Sequence, residues 1–239
     1  MKSVSFVIPF YNESESIEET VSVVLSILKK MTDDFELILV NDGSVDDSLP
    51  KVLKAFSQEN SLLVISHGIN KGLGAAIRTG FDAAQKDIVV YSDMDMPFDF
   101  HLLPEILNTM PNDVDILRGI RSSDRENWIR KIYSFGFKTF IYALFGYSFA
   151  DPNFALKIFN RKQLQSLNLN SDGSFIDAEI LLEALKLGYK IETIDIEYKH
   201  RQHGTSHLAN FKNIFRILKE ALSYKFKSVK NKVEKNHAL

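Results

Sequence analysis

The stretch Asp87-Ile88-Val89-Val90-Tyr91-Ser92-Asp93-Met94-Asp95-Met96-Pro97-Phe98-Asp99 decides how the chain is read. Ile88–Tyr91 is a short, wholly apolar run that suits a strand buried on both faces of a parallel sheet. It runs out into two carboxylates one residue apart, Asp93 and Asp95. The carboxyl ends of strands in open α/β sheets are where ligands bind. Carboxylate oxygens there suit a hard divalent cation, Mg²⁺ or Mn²⁺, that bridges to phosphates. Asp-x-Asp alone is common by chance, so its weight comes from its neighbours.

Upstream, apolar runs alternate with amphipathic segments. Val4–Ile8 reads as a first strand stopped by Pro9, followed by the loop Phe10–Glu13. Ser14 is positioned as the N-cap of a helix running to about Lys30. Phe35–Val40 is a second strand, Asn41-Asp42-Gly43-Ser44 a turn, and Asp46–Ser57 a second helix. Leu62–Ser66 is a third strand and Gly74–Ala84 a third helix. Downstream come a helix at Leu102–Met110, strands at Val114–Leu117, Asp151–Phe159 and Ile191–Tyr198, and a helix at Phe175–Leu187. Strands alternating with helices at this spacing predict a doubly wound, mainly parallel α/β sheet.

The chain has 239 residues, enough for one large domain with an extension, and 45% apolar and 25% charged residues are ordinary for a soluble protein. A net charge of −2 gives no whole-chain argument for a nucleic-acid partner. With no cysteine there is neither a disulfide framework nor thiolate chemistry. Met1-Lys2-Ser3 leads straight into the first strand, so no signal peptide is expected, and no run reaches the ~18 apolar residues of a spanning helix.

A dinucleotide-binding domain would need a glycine-rich turn after the first strand. Pro9–Glu13 has no glycine, and Gly72-Leu73-Gly74 follows the third strand instead. No P-loop pattern is present. The loops after the first two strands should share one sheet edge with Asp93. Tyr11 could then stack on a nucleoside, with Glu13 and Asp42 accepting hydrogen bonds and Lys71 passing near the ligand. Asn41–Ser44 could equally be an Asx turn that caps the next helix.

The ordered set Val-Ile-Pro-x-Tyr-Asn-Glu, Asn-Asp-Gly-Ser, Asn-Lys-Gly-Leu-Gly-x-Ala and Asp-x-Asp resembles the inverting glycosyltransferases of family 2, which have a GT-A fold. Gly119-Ile120-Arg121, Asp151–Lys157, Phe175–Glu179 and Tyr198–Leu208 resemble the dolichyl- and polyprenyl-phosphate mannose and glucose synthases. The resemblance spans Val4 to about Leu208. It implies a hexose moved from a nucleotide diphosphate-sugar to a polyprenyl phosphate. Pro9, Tyr11, Glu13 and Asp42 would hold the nucleoside, and Asp93 and Asp95 the metal and diphosphate. Arg121, Lys157 and Arg201 would face phosphates, with Arg201 and Ser206 on a loop that closes over the site.

Four positions depart from the family pattern. Pro97 stands where a Gln or Ser can help bind metal, leaving Asp99 as a substitute. Lys157 replaces an arginine and loses its bidentate fork. Asp177 stands where glutamine is common, and His207 where lysine is common. A lipid phosphate needs no general base, whereas a sugar hydroxyl does. Asp177 or Glu179 could be that base, so a surface-glycan transferase stays open as an alternative, and Glu179 could instead orient a cation. A non-catalytic nucleotide-sugar-binding protein is the reading of a different class.

Residues 1–207 are expected to form the catalytic domain and 208–239 a basic amphipathic tail. Phe211, Ile214, Phe215, Leu218, Leu222, Phe226, Val229 and Val233 recur at helical steps, with lysines between them. Aromatic and cationic residues also crowd residues 125–150, an expected acceptor or interface segment. Both suit a cytoplasmic enzyme held peripherally at the inner membrane face or by a membrane-anchored partner, and both equally suit packing within a homo-oligomer.

Overall fold

The structure is a computed structural model that describes residues 2–122, 128–199 and 215–227, with the backbone alone for 128–135. The strands are β1 (Val4–Phe10), β2 (Phe35–Asn41), β3 (Leu62–Ser66), β4 (Ile88–Ser92), β5 (Ile116–Arg121), β6 (Leu156–Asn160) and β7 (Ile191–Ile196). The helices are α1 (Ile17–Met31), α2 (Ser48–Ala55), α3 (Leu73–Ala83), α4 (Leu103–Thr109), α5 (Trp128–Phe145), α6 (Arg161–Ser166) and α7 (Ile176–Lys186). A further helix, α8, covers residues 215–227.

The seven strands form one sheet in the order β3-β2-β1-β4-β6-β5-β7. β6 runs antiparallel to β4 and β5, and every other pairing is parallel. The predicted mainly parallel sheet is therefore present, with one reversed strand that no apolar pattern marks. Both faces are covered. One core packs α1 and α4 against Phe6, Ile8, Leu37, Leu39 and Val90. The other packs α3, α6 and α7 against Val7, Ile38, Val40, Val89 and Tyr91. This is why the inner strands read as continuous apolar runs rather than alternating ones.

The chain leaves β1 for β2 and β3 on one side and returns to β4 on the other. The gap between the ends of β1 and β4 is thus the switch point at which such sheets bind ligands. Two boundaries differ from the sequence reading. Pro9 does not end β1, which continues to Phe10 beside Asn41. The Val4 amide donates to Asp34 on the β2 side, so by alternation the Pro9 nitrogen faces β4, whose pairing has already ended at Val7–Tyr91. No ladder bond is lost there. The N-cap of α1 is Ser16 rather than Ser14, because the Ser14 amide donates to the Asp46 carboxylate and binds the first loop to the second.

Candidate active site

Four loops meet at the carboxyl edge of the sheet. The first two are stitched together. Asn12 takes a left-handed φ of 56°, its amide donates to Ser44 Oγ at 2.9 Å, and its Oδ1 accepts from the Val45 amide at 2.9 Å. The Glu13 amide donates to Ser48 Oγ at 2.7 Å. Asn41 Oδ1 accepts from the Ser44 amide, three residues on, at 2.9 Å, which holds the turn together but does not cap α2, whose N-cap is Asp47. Gly43, at φ 71°, lets the turn lie against Ile69, where any Cβ would meet backbone at 2.4 Å. This stitching leaves Tyr11 exposed at the rim and Pro9 buried beneath it.

Asp42 is buried and fully engaged. Its Oδ1 accepts from the Lys71 amide and from His67 Nδ1, both at 2.9 Å, and its Oδ2 accepts from the Gly72 amide at 2.8 Å. His67 Nε2 lies 3.0 Å from Thr79 Oγ1. Asp42 therefore shapes the Lys71–Gly72 loop and leaves the Lys71 side chain exposed above it. His67 was not singled out from the sequence, since a lone histidine after a strand carries no distinguishing pattern.

The Asp93-Met94-Asp95 loop leaves β4 at the switch point. Thr20 of α1 donates to the Met94 carbonyl at 3.0 Å, Ser92 donates to the Ala155 carbonyl at 2.8 Å, and Met96 turns with φ 47°. Asp93 and Asp95 lie deep in the protein yet keep part of their surface open to solvent. Tyr91 donates its hydroxyl to Asp93 Oδ1 at 3.1 Å. Burial, and then the charges of Asp95 and Asp177, push the Asp93 carboxyl up to about 7.

Two departures from the family pattern turn out to be one feature. Lys157 Nζ lies 2.5 Å from Asp177 Oδ1 and 3.1 Å from the Phe154 carbonyl, and 5.5 Å over the Tyr91 ring. Both side chains are enclosed, at 1% and 5% exposure. Lys157 therefore does not face an acceptor phosphate, and Asp177 is not open to a hydroxyl. Lys157 sits opposite Tyr91 in the β4–β6 register, and this pairing points it inward under the Asp93 loop.

Glu179 is also buried. Its two oxygens accept from the Asn170 amide at 3.0 Å and the Ser171 amide at 2.8 Å. It orients loop backbone rather than a cation or an acceptor. That loop continues to Asp172, whose carbonyl accepts from the Gly74 amide at 2.8 Å and the Ala75 amide at 3.2 Å. Gly72, at φ 104°, permits this contact, since a Cβ there would meet the same carbonyl at 2.3 Å.

Pro97 is buried, and its carbonyl accepts from the Lys199 amide at 2.9 Å. Asp99 accepts from the His101 amide at 3.1 Å and pairs with Lys199 at 3.4 Å, which hold it below the usual carboxylate range. It caps the short 3₁₀ turn Phe100–Leu102. Among the described residues no group of three metal-ligating side chains is assembled. Arg121 ends β5, its Nε 3.1 Å from Asp151 Oδ2 and its guanidinium 4.7 Å over the Tyr198 ring. Arg201, Ser206 and His207 lie outside the described residues.

Comparison with known proteins bears on the fold and the family. Undecaprenyl-phosphate 4-deoxy-4-formamido-L-arabinose transferase of Photorhabdus laumondii is 29% identical over 208 residues, 86% of this chain and 63% of that protein. The protein of the same name from Proteus mirabilis is 29% identical over 210 residues, with the same shares. The chain therefore spans a little under two thirds of the length of these relatives. Among solved structures, Mycobacterium tuberculosis glucosyl-3-phosphoglycerate synthase superposes with a TM-score of 0.68 at 19% identity, covering 95% of this chain and 80% of that one. Its complex with Mn²⁺, UDP-glucose and phosphoglyceric acid gives 0.65 at 20% identity, covering 92% and 80%. These likenesses identify the fold as GT-A. The model of "Glycosyl transferase family 2" matches residues 5–167, well over half of the chain, and the protein belongs to that family.

Proposed function

We propose that the protein is an inverting hexosyltransferase that moves a sugar from a nucleotide diphosphate-sugar to a polyprenyl phosphate. The observation that carries this reading is the commitment of Asp177 to Lys157. A sugar-hydroxyl acceptor must lose its proton to a base. The two carboxylates offered for that role are engaged, Asp177 with an ammonium and Glu179 with two backbone amides. A lipid phosphate arrives already ionised and needs neither. The names of the relatives from Photorhabdus and Proteus support the same acceptor class.

On the donor side, Tyr11 stacks on the base, while Pro9 and Glu13 line its pocket. Asp42 holds the loop that presents Lys71 to the donor. Residues 1–207 form the catalytic unit. Arg121 offers a planar cation to phosphate from one wall, and Arg201 and Ser206 are assigned to the same phosphates.

The donor set near β4 fits a divalent cation. Lys157, the cation that acts on Asp93, is committed to Asp177, so Asp93 and Asp95 present crowded negative charge. Mg²⁺ and Mn²⁺ are typically held by one or two carboxylates plus substrate phosphates, which is the set available here. Asp93 and Asp95 would hold the ion, which would neutralise charge on the departing diphosphate. The solved neighbour that binds Mn²⁺ with UDP-glucose supports a divalent cation in this role. The acceptor phosphate oxygen attacks the anomeric carbon from the face opposite the diphosphate. The new C–O bond forms as the bond to the diphosphate breaks, and the nucleoside diphosphate leaves.

The test is a donor screen. Purified protein, polyprenyl phosphate, Mg²⁺ or Mn²⁺ and each labelled nucleotide-sugar are incubated, and label is sought in the lipid fraction. Label that enters lipid in wild type and not in Asp95→Ala supports the reading. Label that appears only on a sugar hydroxyl, or on no acceptor with any donor, overturns it.

A further inference from the structure

Tyr91 lies near the end of β4 and is fully buried. Side chains two residues apart share one face of a strand, which puts Tyr91 on the same side as Asp93, just past the strand's end. The ring is held from two directions. It packs edge-on to Phe81, with centroids 6.1 Å apart and planes at 84°, and Phe81 in turn packs edge-on to Phe159 at 5.4 Å. The Lys157 ammonium sits 5.5 Å from the ring centroid, itself fixed by Asp177 and the Phe154 carbonyl. A phenylalanine would make every one of these ring contacts. What tyrosine adds is a hydroxyl, which is costly to bury unless it is hydrogen-bonded. Its partner is Asp93 Oδ1, at 3.1 Å. Backbone on either side of Asp93 is already anchored, since Ser92 donates to the Ala155 carbonyl and the Met94 carbonyl accepts from Thr20. The direction of the Asp93 carboxyl remains to be set. Among the described residues, Tyr91 is the one group that hydrogen-bonds it. The hydroxyl occupies Oδ1 and leaves Oδ2 to face a cation.

We infer that Tyr91 is a positioning residue that pins Asp93 as a one-oxygen ligand and so selects Mg²⁺ or Mn²⁺ over Ca²⁺. The inference rests on the reading of Asp93 and Asp95 as ligands of a divalent cation. Mg²⁺ demands near-ideal octahedral geometry with short bonds, and Mn²⁺ shares the octahedral habit. A single oxygen held in one direction serves such an ion. Ca²⁺ takes more and longer bonds, and gains from carboxylates that swing to grip it with both oxygens. Asp93 cannot swing while Oδ1 is tied to a hydroxyl whose own ring is locked between Phe81 and Lys157. Partners that orient a ligand in this way are typically worth about 10–100-fold in metal affinity.

The experiment is calorimetric titration of Mn²⁺, Mg²⁺ and Ca²⁺ into the full chain saturated with UDP, and again with GDP. Wild type should bind Mn²⁺ and Mg²⁺ in preference to Ca²⁺. Tyr91→Phe should weaken Mn²⁺ and Mg²⁺ about tenfold or more and Ca²⁺ much less, so that the preference shrinks. In an Asp93→Ala background the same substitution should have no further effect on any ion, as expected of a residue that acts through Asp93. Phenylalanine keeps the ring contacts, so the variant should melt within a few degrees of wild type. A hydroxyl with only a structural role would move the melting temperature and leave all three affinities unchanged, which overturns the inference. An equal loss for all three ions overturns it too. Wild type tests it even if the variant does not fold, because a wild-type preference for Ca²⁺ is incompatible with it. Wild type that binds no ion with either nucleotide defeats the reading of Asp93 and Asp95 as ligands, whereas ions bound equally by wild type and Tyr91→Phe defeat only the role of Tyr91.

Discussion

The ammonium of Lys157 and the carboxylate of Asp177 meet at 2.5 Å inside the protein, beside Tyr91 and near enough to Asp93 for both charges to act on its carboxyl. Removing one partner leaves the other buried and uncompensated. Lys157→Met and Asp177→Leu should each cost about 3–5 kcal/mol in urea denaturation, while Lys157→Met/Asp177→Leu should cost much less than their sum. Strict additivity would mean that the pair does not act as a unit.

Asp93 links stability to pH. Burial and the neighbouring charges of Asp95 and Asp177 raise its carboxyl to about 7. The folded chain thus holds this proton more tightly than the unfolded chain, in which the group titrates near ~3.9. Its stabilising contribution is full below that unfolded value and is lost as pH rises through about 7. Metal-free protein should therefore melt at falling temperature across that window. Saturating Mn²⁺ or Asp93→Asn should flatten the slope. A slope that Mn²⁺ leaves untouched would count against Asp93 as a ligand.

Asp95→Asn should lower the rate of donor turnover by about 10²–10³-fold, the size of effect seen when one stabilising group for developing charge is removed. Its melting temperature without metal should not fall, because the substitution relieves repulsion with Asp93. Isothermal titration of Mn²⁺ into the variant supplies an independent readout, with weakened binding expected.

Asp42→Ala leaves the Lys71 and Gly72 amides and His67 Nδ1 without their shared acceptor. We expect about 1–3 kcal/mol of lost stability and a donor KM that rises more than kcat falls. Steady-state kinetics against donor concentration check this. A kcat loss at constant KM would put Asp42 at the chemistry instead.

Glu179→Ala should free the Asn170 and Ser171 amides, and through Asp172 loosen the start of α3. Hydrogen exchange should quicken at Asn170, Ser171, Gly74 and Ala75 together. Exchange that changes only at the first two would separate the loops.

The sheet was legible because its inner strands are covered on both faces, so Val4–Ile8, Phe35–Val40 and Ile88–Tyr91 stand out as unbroken apolar runs. Asp93 and Asp95 were legible for the same reason, since they follow such a run directly. The reversal of β6 was not legible: Leu156–Asn160 has the same apolar character whichever way it runs. The pairing of Lys157 with Asp177 was visible only as two separate oddities, because twenty residues of sequence hide a contact made by the β4–β6 register and the start of α7. Glu179 looked like a base because the groups that donate to it are backbone amides, which leave no mark in a sequence. Ser14 looked like a cap because its true partner, Asp46, lies on a different loop.

A helix that opens beside a nucleotide cleft ordinarily greets the phosphates with its own bare amides. α3 cannot do so with Gly74 and Ala75, because the Asp172 carbonyl has already taken both. The positive end that a dinucleotide-binding fold would spend on a pyrophosphate is here spent on joining two loops. The diphosphate of the proposed donor would have to find its counter-charge elsewhere: in the Arg121 and Lys71 side chains, and in a cation held by the carboxylates after β4, which by themselves repel it.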